Sequence, residues 1–460
     1  MLVPLAALAA ACGSQSGPVS HGYVSAPELR PPVVTVGTPA RDAAPGYVFF
    51  APKKDLPQSG PLIVNNLGEP VWFDPAAAGA TDFRVQQYRG KPVLTWWEGH
   101  SELGYGFGHY VIADTSYRQI KVVRAGNGFS GDLHGFQITP KGTALMPIYQ
   151  RKGPLLDSLL QEIDIASGKV LFQWRASDHV PVSESYVPRQ RGRLFDYFHI
   201  NSVDAKPDGN FLVSARNTST VYEISRSNGD VLWRLGGKKS DFTMGPGTVF
   251  HWQHDALRQP DGTITIFDNG AAPPLEKHSR ALVLRLDLST KRATLIRQYV
   301  HPLGLLAPHQ GNVQKLPDGH VFVGFGGLPY FTEFAEDGKV VFDAHFPASG
   351  DSYRAYRFPW TGRPADRPAV AYAGGNVYAS WNGATEVAAW RLLAGDDPTR
   401  LKRLGTKSRT GFETVLEPPH AERYVAVQAL SAGGEVLGTS AAVSAASFDF
   451  GPRQFAALRG

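Results

Sequence analysis

Residues 197–237 read YFHINSVDAKPDGNFLVSARNTSTVYEISRSNGDVLWRLGG. The stretch contains four short apolar runs. The sequence KPDG lies between the first and second runs, and SNGD lies between the third and fourth. Pro, Asp, Asn and Gly favour tight turns there, because they readily adopt the backbone angles that hairpins require. The stretch therefore predicts four antiparallel strands joined as a meander.

Similar units recur along the chain at residues 46–73, 83–125, 132–176, 251–300 and 307–346. Self-similarity on a scale of about 40–50 residues, with several short strands in each unit, is typical of a β-propeller. A chain of 460 residues with 49 Gly and 35 Pro suits many strands and turns. We predict an all-β fold with a six-bladed β-propeller over residues 28–360. Four aromatic residues should pack between blades: Trp72, Trp174, Trp233 and Phe342.

The sequence changes character after Pro359. Residues 360–367 resemble a linker, and the remainder resembles a fibronectin type III domain, a β-sandwich, over residues 366–452. Trp381 and Trp390 stand where that family has its core aromatic residues, and Tyr424 resembles its tyrosine corner. Such domains usually act as spacers or binders, so no chemistry is assigned to this one.

The first residues, MLVPLAALAAAC, resemble the end of a bacterial lipoprotein signal peptide. Residues 1–27 are therefore predicted to be a signal and tether, with Cys12 lipidated and the protein held outside the cytoplasm on the cell membrane. A secretory signal with a chance cysteine remains the alternative. The apolar run is too short for a transmembrane span, and one cysteine allows no disulfide within the chain.

The net charge is +5 and the isoelectric point is near 9.1. No Lys/Arg stripe follows this charge, which argues against a nucleic-acid partner. A mild positive balance would suit an anionic small substrate, although solubility alone also accounts for it.

Four histidines occupy equivalent places ahead of a turn and an apolar run, at spacings of 65, 55 and 55 residues. Residues repeated at one place in successive blades become related by symmetry, so their imidazoles should converge on the central channel. The four are His134, His199, His254 and His309.

Two further side chains are expected to join the histidines. Asn201 lies two residues from His199, which would place both side chains on one face of a strand, able to bind one oxyanion. Arg216 lies in an otherwise apolar strand and would bind a sulfate or carboxylate group. His254 is the best candidate nucleophile, because a neutral imidazole attacks electrophilic centres and no free thiol competes with it.

Alternatives remain at this stage. Each histidine is individually explicable as structural, Arg216 as an inter-blade salt bridge, and the set as a zinc site, although no local ligand spacing supports a metal. Five other histidines are interpreted as structural: His100, His109, His251, His301 and His320. The chain has no GxSxG, HExxH, Walker or CxxC motif.

The stretch from about Pro27 to Phe346 resembles the arylsulfotransferase family, in particular its actinobacterial and fungal branch. The segments that carry the resemblance include GKPVLTWWEG, DLHGFQIT, DYFHINSVD, LVSARN, QHDA and HQGNVQKLPDG. The resemblance implies a six-bladed propeller and a transferase that moves a sulfuryl group from an aryl sulfate to a phenol. It also implies a ping-pong route through a sulfohistidine, with neither a nucleotide donor nor a cofactor.

By motif, the family's nucleophile matches His254, its HxN pair matches His199 and Asn201, and its arginine matches Arg216. His134 matches the earlier channel histidine. His134 or His199 would then transfer protons, and Arg216 and Asn201 would hold the sulfuryl oxygens. The cysteine pair and the large N-terminal β-domain of well-studied members are missing from this chain, and His309 falls in or near the position of their hydroxyl-bearing residue.

Two other functions stay open. One is a non-catalytic cell-surface propeller that binds a ligand, with the C-terminal domain as its spacer. The other is a quinone-dependent dehydrogenase, which would need a cofactor and a calcium site for which the sequence shows no motif.

Overall fold

The computed structural model describes residues 19–77, 79–205 and 209–444. Cys12 and the rest of the predicted signal up to residue 18 lie outside the described residues. Within the described ranges, no helix is both long and apolar enough to cross a bilayer. Helical structure there consists of α1 (Ala176–His179) and a 3-10 helix at Val182–Glu184.

The remaining regular elements are strands. The strands before residue 176 are β1 (Thr35–Thr38), β2 (Tyr47–Lys54), β3 (Leu62–Val64), β4 (Pro70–Phe73), β5 (Thr81–Tyr88), β6 (Lys91–Glu102), β7 (Tyr105–Ala113), β8 (Gln119–Val123), β9 (Gln137–Ile138), β10 (Thr143–Lys152), β11 (Leu155–Asp164) and β12 (Val170–Arg175). Those up to residue 358 are β13 (Ile200–Ala205), β14 (Phe211–Ala215), β15 (Thr220–Ile224), β16 (Val231–Gly236), β17 (Thr243–Met244), β18 (His254–Arg258), β19 (Ile264–Asp268), β20 (Arg280–Asp287), β21 (Arg292–Val300), β22 (Asn312–Lys315), β23 (Val321–Gly324), β24 (Tyr330–Phe334), β25 (Val340–His345) and β26 (Gly350–Phe358). The last eight are β27 (Ala369–Ala373), β28 (Asn376–Ser380), β29 (Ala389–Gly395), β30 (Lys402–Ser408), β31 (Glu413–Leu416), β32 (Tyr424–Leu430), β33 (Val436–Thr439) and β34 (Val443–Ser444).

The described strands up to residue 358 form six sheets of four or five strands. The meander predicted for residues 197–237 is confirmed as the sheet β13-β14-β15-β16, in which every neighbouring pair is antiparallel. Its SNGD turn needs glycine, because Gly229 has φ +80° and a Cβ there would lie 3.2 Å from His179. The KPDG turn falls partly outside the described residues.

Two strands pair with strands that are distant in the sequence. β26 pairs with β2, so the first sheet reads β26-β2-β3-β4, and β1 pairs with β25 at the edge of the sixth sheet. Each of the six sheets has one edge strand, which we call its first strand, that contacts the corresponding strands of two other sheets. The contacts run β5 with β9, β9 with β13, β13 with β18, β18 with β22, β22 with β26, and β26 with β5. Each of these strands therefore contacts two others of the set.

Large aromatic side chains fill the space between neighbouring sheets, as predicted. Trp233 packs with Phe242, Ile264 and Leu282, which connects β16 to β19 and β20. Trp174 is buried beside Phe198 and donates its indole N–H to the Gly229 carbonyl at 2.9 Å. The other predicted packing residues, Trp72 and Phe342, lie in two further buried clusters.

The described residues from 369 to 444 form two sheets, β27-β28-β31 and β30-β29-β32-β33, with β34 paired to β32. Trp390 is buried between them, as predicted for a core aromatic. Trp381 differs from its prediction: it follows β28, is only partly buried and donates its indole N–H to the Asp366 carbonyl at 2.8 Å. Asn382 hydrogen bonds to both backbone groups of Phe73 in β4, which docks these sheets on the first sheet.

Candidate functional site

The four predicted histidines line one cavity of about 490 Å³, which we call the histidine cavity. His134 precedes β9, His199 precedes β13, His254 begins β18 and His309 precedes β22. Each therefore lies at the entry of the first strand of its sheet. Because those first strands contact one another, the repeat in the sequence brings the imidazoles to one place.

His254 is held in one orientation by Asn269. The Asn269 amide group donates to the carbonyls of Ala307 at 3.1 Å and Gln310 at 2.9 Å, so its Oδ1 faces His254 Nδ1 at 2.7 Å as an acceptor. His254 Nδ1 must then carry the hydrogen, and the lone pair lies on Nε2. The Gln310 N–H, which donates to Nε2 at 3.3 Å, agrees with that tautomer.

His254 is also held uncharged. Burial lowers its pKa well below the ordinary value of 6.5, and the nearby Arg216 guanidinium lowers it further. The imidazole is therefore neutral at neutral pH, and its lone pair on Nε2 accepts from the Gln310 N–H. A neutral, oriented imidazole has what a nucleophile requires.

His134 forms a buried pair with Asp132, whose Oδ1 lies 2.5 Å from His134 Nδ1. Burial raises the pKa of Asp132 to about 7 and lowers the pKa of His134 well below 6.5. Below about pH 7 the pair therefore holds one extra proton. Since Nδ1 faces the carboxylate, His134 Nε2 then carries a hydrogen and can act as an acid, and above that pH it can act as a base.

His199 has a similar partner. Its Nδ1 lies 2.5 Å from Asp196 Oδ2, and its ring lies edge-on to that of His134 with 4.9 Å between the centroids. A carboxylate behind the imidazole selects the tautomer and fixes the orientation of the ring. Of the four cavity histidines, His134 and His199 thus have acidic partners, whereas His254 has an amide partner.

Arg216 lies after β14 rather than within it, which differs from the predicted strand position. Its guanidinium stacks over the Trp252 ring at 5.0 Å and donates to Asn217 Oδ1 at 2.9 Å. Among the described residues it forms no ion pair, so the predicted alternative of an inter-blade salt bridge is not observed. The Arg216 side chain instead lines the histidine cavity.

The predicted side-by-side arrangement of His199 and Asn201 is wrong. His199 has φ +57° and precedes the strand, and the register shifts between Ile200 and Ser202, so strand alternation does not relate the two side chains. Asn201 is fully buried, donates to the Gln253 carbonyl at 2.6 Å and is not among the residues that line the cavity.

His309 lines the cavity as predicted, and burial lowers its pKa. Lys53 also lines it, 3.8 Å from Asp351, and was missed by the sequence analysis. Lys53 lies in β2, one residue from the solvent-exposed end of that strand, and no motif distinguishes it from other lysines. It adds a second positive charge to the cavity.

Two features bear on the other interpretations of the histidines. His301 and His320 pair with Asp343 and Glu333 at 3.0 Å and 2.8 Å, as expected for structural residues. In the described part of the chain, the group with ligand atoms close enough for one metal ion is Asp318, His320 and Glu333, which does not include the four cavity histidines. The zinc interpretation of those four therefore has no geometric support.

A family model described as Arylsulfotransferase (ASST) matches residues 84–347. Comparison with curated proteins finds no match. Solved structures with similarity include a protein of unknown function from Bacteroides caccae, at 16% identity over 68% of this chain and 98% of that chain, with a TM-score of 0.44. A protein from Lactobacillus plantarum has 15% identity over 81% and 99%, with a TM-score of 0.36. Virginiamycin B lyase from Staphylococcus aureus has 10% identity over 76% and 96%, with a TM-score of 0.34.

Proposed function

Because the chain belongs to the arylsulfotransferase family, we propose that it transfers a sulfuryl group from an aryl sulfate to a phenol through a sulfohistidine on His254. The observation that carries this proposal is the hydrogen-bond chain from the Asn269 amide to His254, which leaves the lone pair on Nε2. The cavity around it holds two cations, Lys53 and Arg216, that suit an anionic group.

The reaction takes place in two displacements. His254 Nε2 attacks the sulfur of the donor, the bond from sulfur to the phenolic oxygen breaks, and the leaving oxygen takes the proton from His134 Nε2. An acceptor phenol then attacks the same sulfur, the bond from nitrogen to sulfur breaks, and the phenol's proton passes to His134. Arg216 and Lys53 stabilise the sulfuryl oxygens, and His199 is the alternative proton carrier. No nucleotide donor or cofactor enters either step.

The fold we propose for this activity is a six-bladed propeller of the actinobacterial and fungal branch, followed by a fibronectin type III-like domain. The ring of contacts among the six first strands, with β26 returning to the first sheet, supports the propeller. The three-stranded and four-stranded sheets around Trp390 support the second domain. We further propose lipidation at Cys12 and a position outside the cytoplasm, on the strength of the N-terminal sequence alone.

The test of the function is the intact mass of the protein after a rapid quench from 4-nitrophenyl sulfate. We expect one added SO₃ group, its loss when a phenol is added, and release of nitrophenol that depends on the phenol. An unmodified protein without phenol-dependent release would reject the transferase and favour the ligand-binding propeller.

The donor half-reaction should depend on pH only when the leaving group needs a proton. Phenyl sulfate releases a strongly basic phenolate, whereas 4-nitrophenolate is stable without protonation. Because the Asp132–His134 pair loses its extra proton above about pH 7, single-turnover cleavage of phenyl sulfate should fall roughly tenfold per pH unit above that value. Cleavage of 4-nitrophenyl sulfate should stay nearly constant.

Asp132→Asn provides the check on that pH profile. Without the carboxylate, burial and the nearby His199 and Arg354 still lower the pKa of His134, so the phenyl sulfate profile should decline from a lower pH. Identical profiles for the two donors, or no displacement in the variant, would remove this pair from the role of acid.

A further inference from the structure

A second cavity of about 860 Å³, which we call the aromatic cavity, adjoins the histidine cavity. The two share Leu103, Asp196, Arg216, Asn217 and Ala272 in their linings. A molecule can therefore extend from His254 past the Arg216 guanidinium without leaving a lined surface.

The lining of the aromatic cavity is mostly apolar. Tyr105, Phe195 and Trp252 are buried in its wall, and Tyr186 and Leu194 are exposed at 42% and 36%. Leu103, at the tip of the β6–β7 hairpin, is 87% exposed. Exposed apolar side chains around a concavity indicate a surface that an apolar group covers on binding.

The segment between Tyr186 and Phe195 is held at both ends. The Tyr186 N–H donates to the Asn217 carbonyl at 2.8 Å, and the Phe195 N–H donates to the Pro154 carbonyl at 2.9 Å. The Lys238 ammonium lies 5.0 Å from the Tyr186 ring centroid. The wall of the aromatic cavity is thus attached to the neighbouring sheets.

A third concavity of about 700 Å³ continues outward and shares Gln190, Arg193 and Leu194 with the aromatic cavity. We call it the arginine groove, because its lining includes Arg151, Arg189, Arg191 and Arg193. Among the described residues, none of these four exposed guanidinium groups pairs with a carboxylate. Four unpaired guanidinium groups around one groove bind anions through charge and forked hydrogen bonds.

We propose that the arginine groove binds a second anionic group of the substrate, a carboxylate, sulfonate or phosphate at the far end of an aromatic body that occupies the aromatic cavity. This rests on the proposed function: the sulfuryl group lies at His254, the aromatic body beyond Arg216 and the distal anion among the arginines. The substrates are then elongated acidic aromatics rather than simple phenols.

Aryl sulfonates test this arrangement without turnover, because their carbon–sulfur bond does not yield a sulfohistidine. Binding of biphenyl-4,4′-disulfonate and p-terphenyl-4,4″-disulfonate to the purified protein is measured by titration calorimetry at low salt, each beside its monosulfonate. We expect at least one disulfonate to bind about tenfold more tightly than its monosulfonate. The difference should shrink as salt screens the charges.

Arg189→Gln combined with Arg191→Gln, two arginines that line the arginine groove but not the aromatic cavity, should remove most of that preference and leave monosulfonate binding unchanged. The matched control combines Arg285→Gln with Arg297→Gln, two exposed arginines of β20 and β21, and should retain the preference. Equal binding of disulfonates and monosulfonates at both lengths, or a preference that survives in the Arg189/Arg191 variant, overturns the inference. A disulfonate preference in a protein that forms no sulfohistidine would reject the proposed reaction and keep the anion site.

Discussion

Replacing His254 with Ala is expected to lower sulfuryl transfer by at least about 10⁴-fold in kcat, because a two-step reaction has no other route once its nucleophile is absent. The added SO₃ mass should disappear as well. Rapid-quench mass measurement and phenol-dependent nitrophenol release report the two effects separately. The cavity should still bind aryl sulfonates, because Arg216 and Lys53 remain.

His420→Ala is the control, since His420 lies in an exposed position beyond residue 368, and it should react like the unaltered protein. Asn269→Leu is a milder variant, which keeps His254 but removes the acceptor for its Nδ1–H. The loss of one buried partner should slow adduct formation by about 10- to 100-fold without abolishing it. An adduct formed at the normal rate in His254→Ala would place the nucleophile elsewhere.

Replacing Arg354 with Met is expected to lower the free energy of unfolding by about 3–5 kcal/mol, because it leaves Asp255 buried without its ion-pair partner and Asp82 with Arg84 alone. Arg354 in β26 is 3% exposed and lies 2.9 Å from Asp82 Oδ1 and 3.2 Å from Asp255 Oδ1. It also donates to the carbonyls of His134 and Asn201 at 3.3 Å and 3.1 Å. One side chain thus joins the first strands of several sheets beneath the histidine cavity.

Urea denaturation followed by tryptophan fluorescence measures this loss. Arg297→Met, at an exposed position of β21, should change stability by no more than about 0.5 kcal/mol. An Arg354→Met protein as stable as this control would mean that the buried carboxylates do not need the arginine.

The repeat of turns and apolar runs was sufficient to predict the sheet β13-β14-β15-β16 and the convergence of His134, His199, His254 and His309. Both follow from local sequence, because a turn is specified by a few residues and a repeated position recurs in each unit. The position of Asn201 was mispredicted, because strand alternation assumes regular backbone and His199 has a positive φ. No local signal reports a backbone irregularity of that kind.

The partners of the histidines also fall into two groups, those near in the sequence and those brought near by packing. Asp132 and Asp196 lie two and three residues from their histidines, within reach of a sequence argument that was not made. Asn269 lies 15 residues from His254, and its orientation depends on carbonyls of Ala307 and Gln310 in the segment that precedes β22. Lys53 enters the cavity from the first sheet, and Arg354 lies in a strand that returns from the other end of this region.

The linear order of residues therefore determined the all-β class, the repeating unit and the four histidines, because each depends on short-range turn propensity or on repetition. Packing of distant strands decided which nitrogen of His254 carries the lone pair and which cations face the cavity. It also decided the pH below which the Asp132–His134 pair holds an extra proton. Those properties arise from burial and from hydrogen bonds between sheets, and they exist only once strands distant in the sequence have packed together.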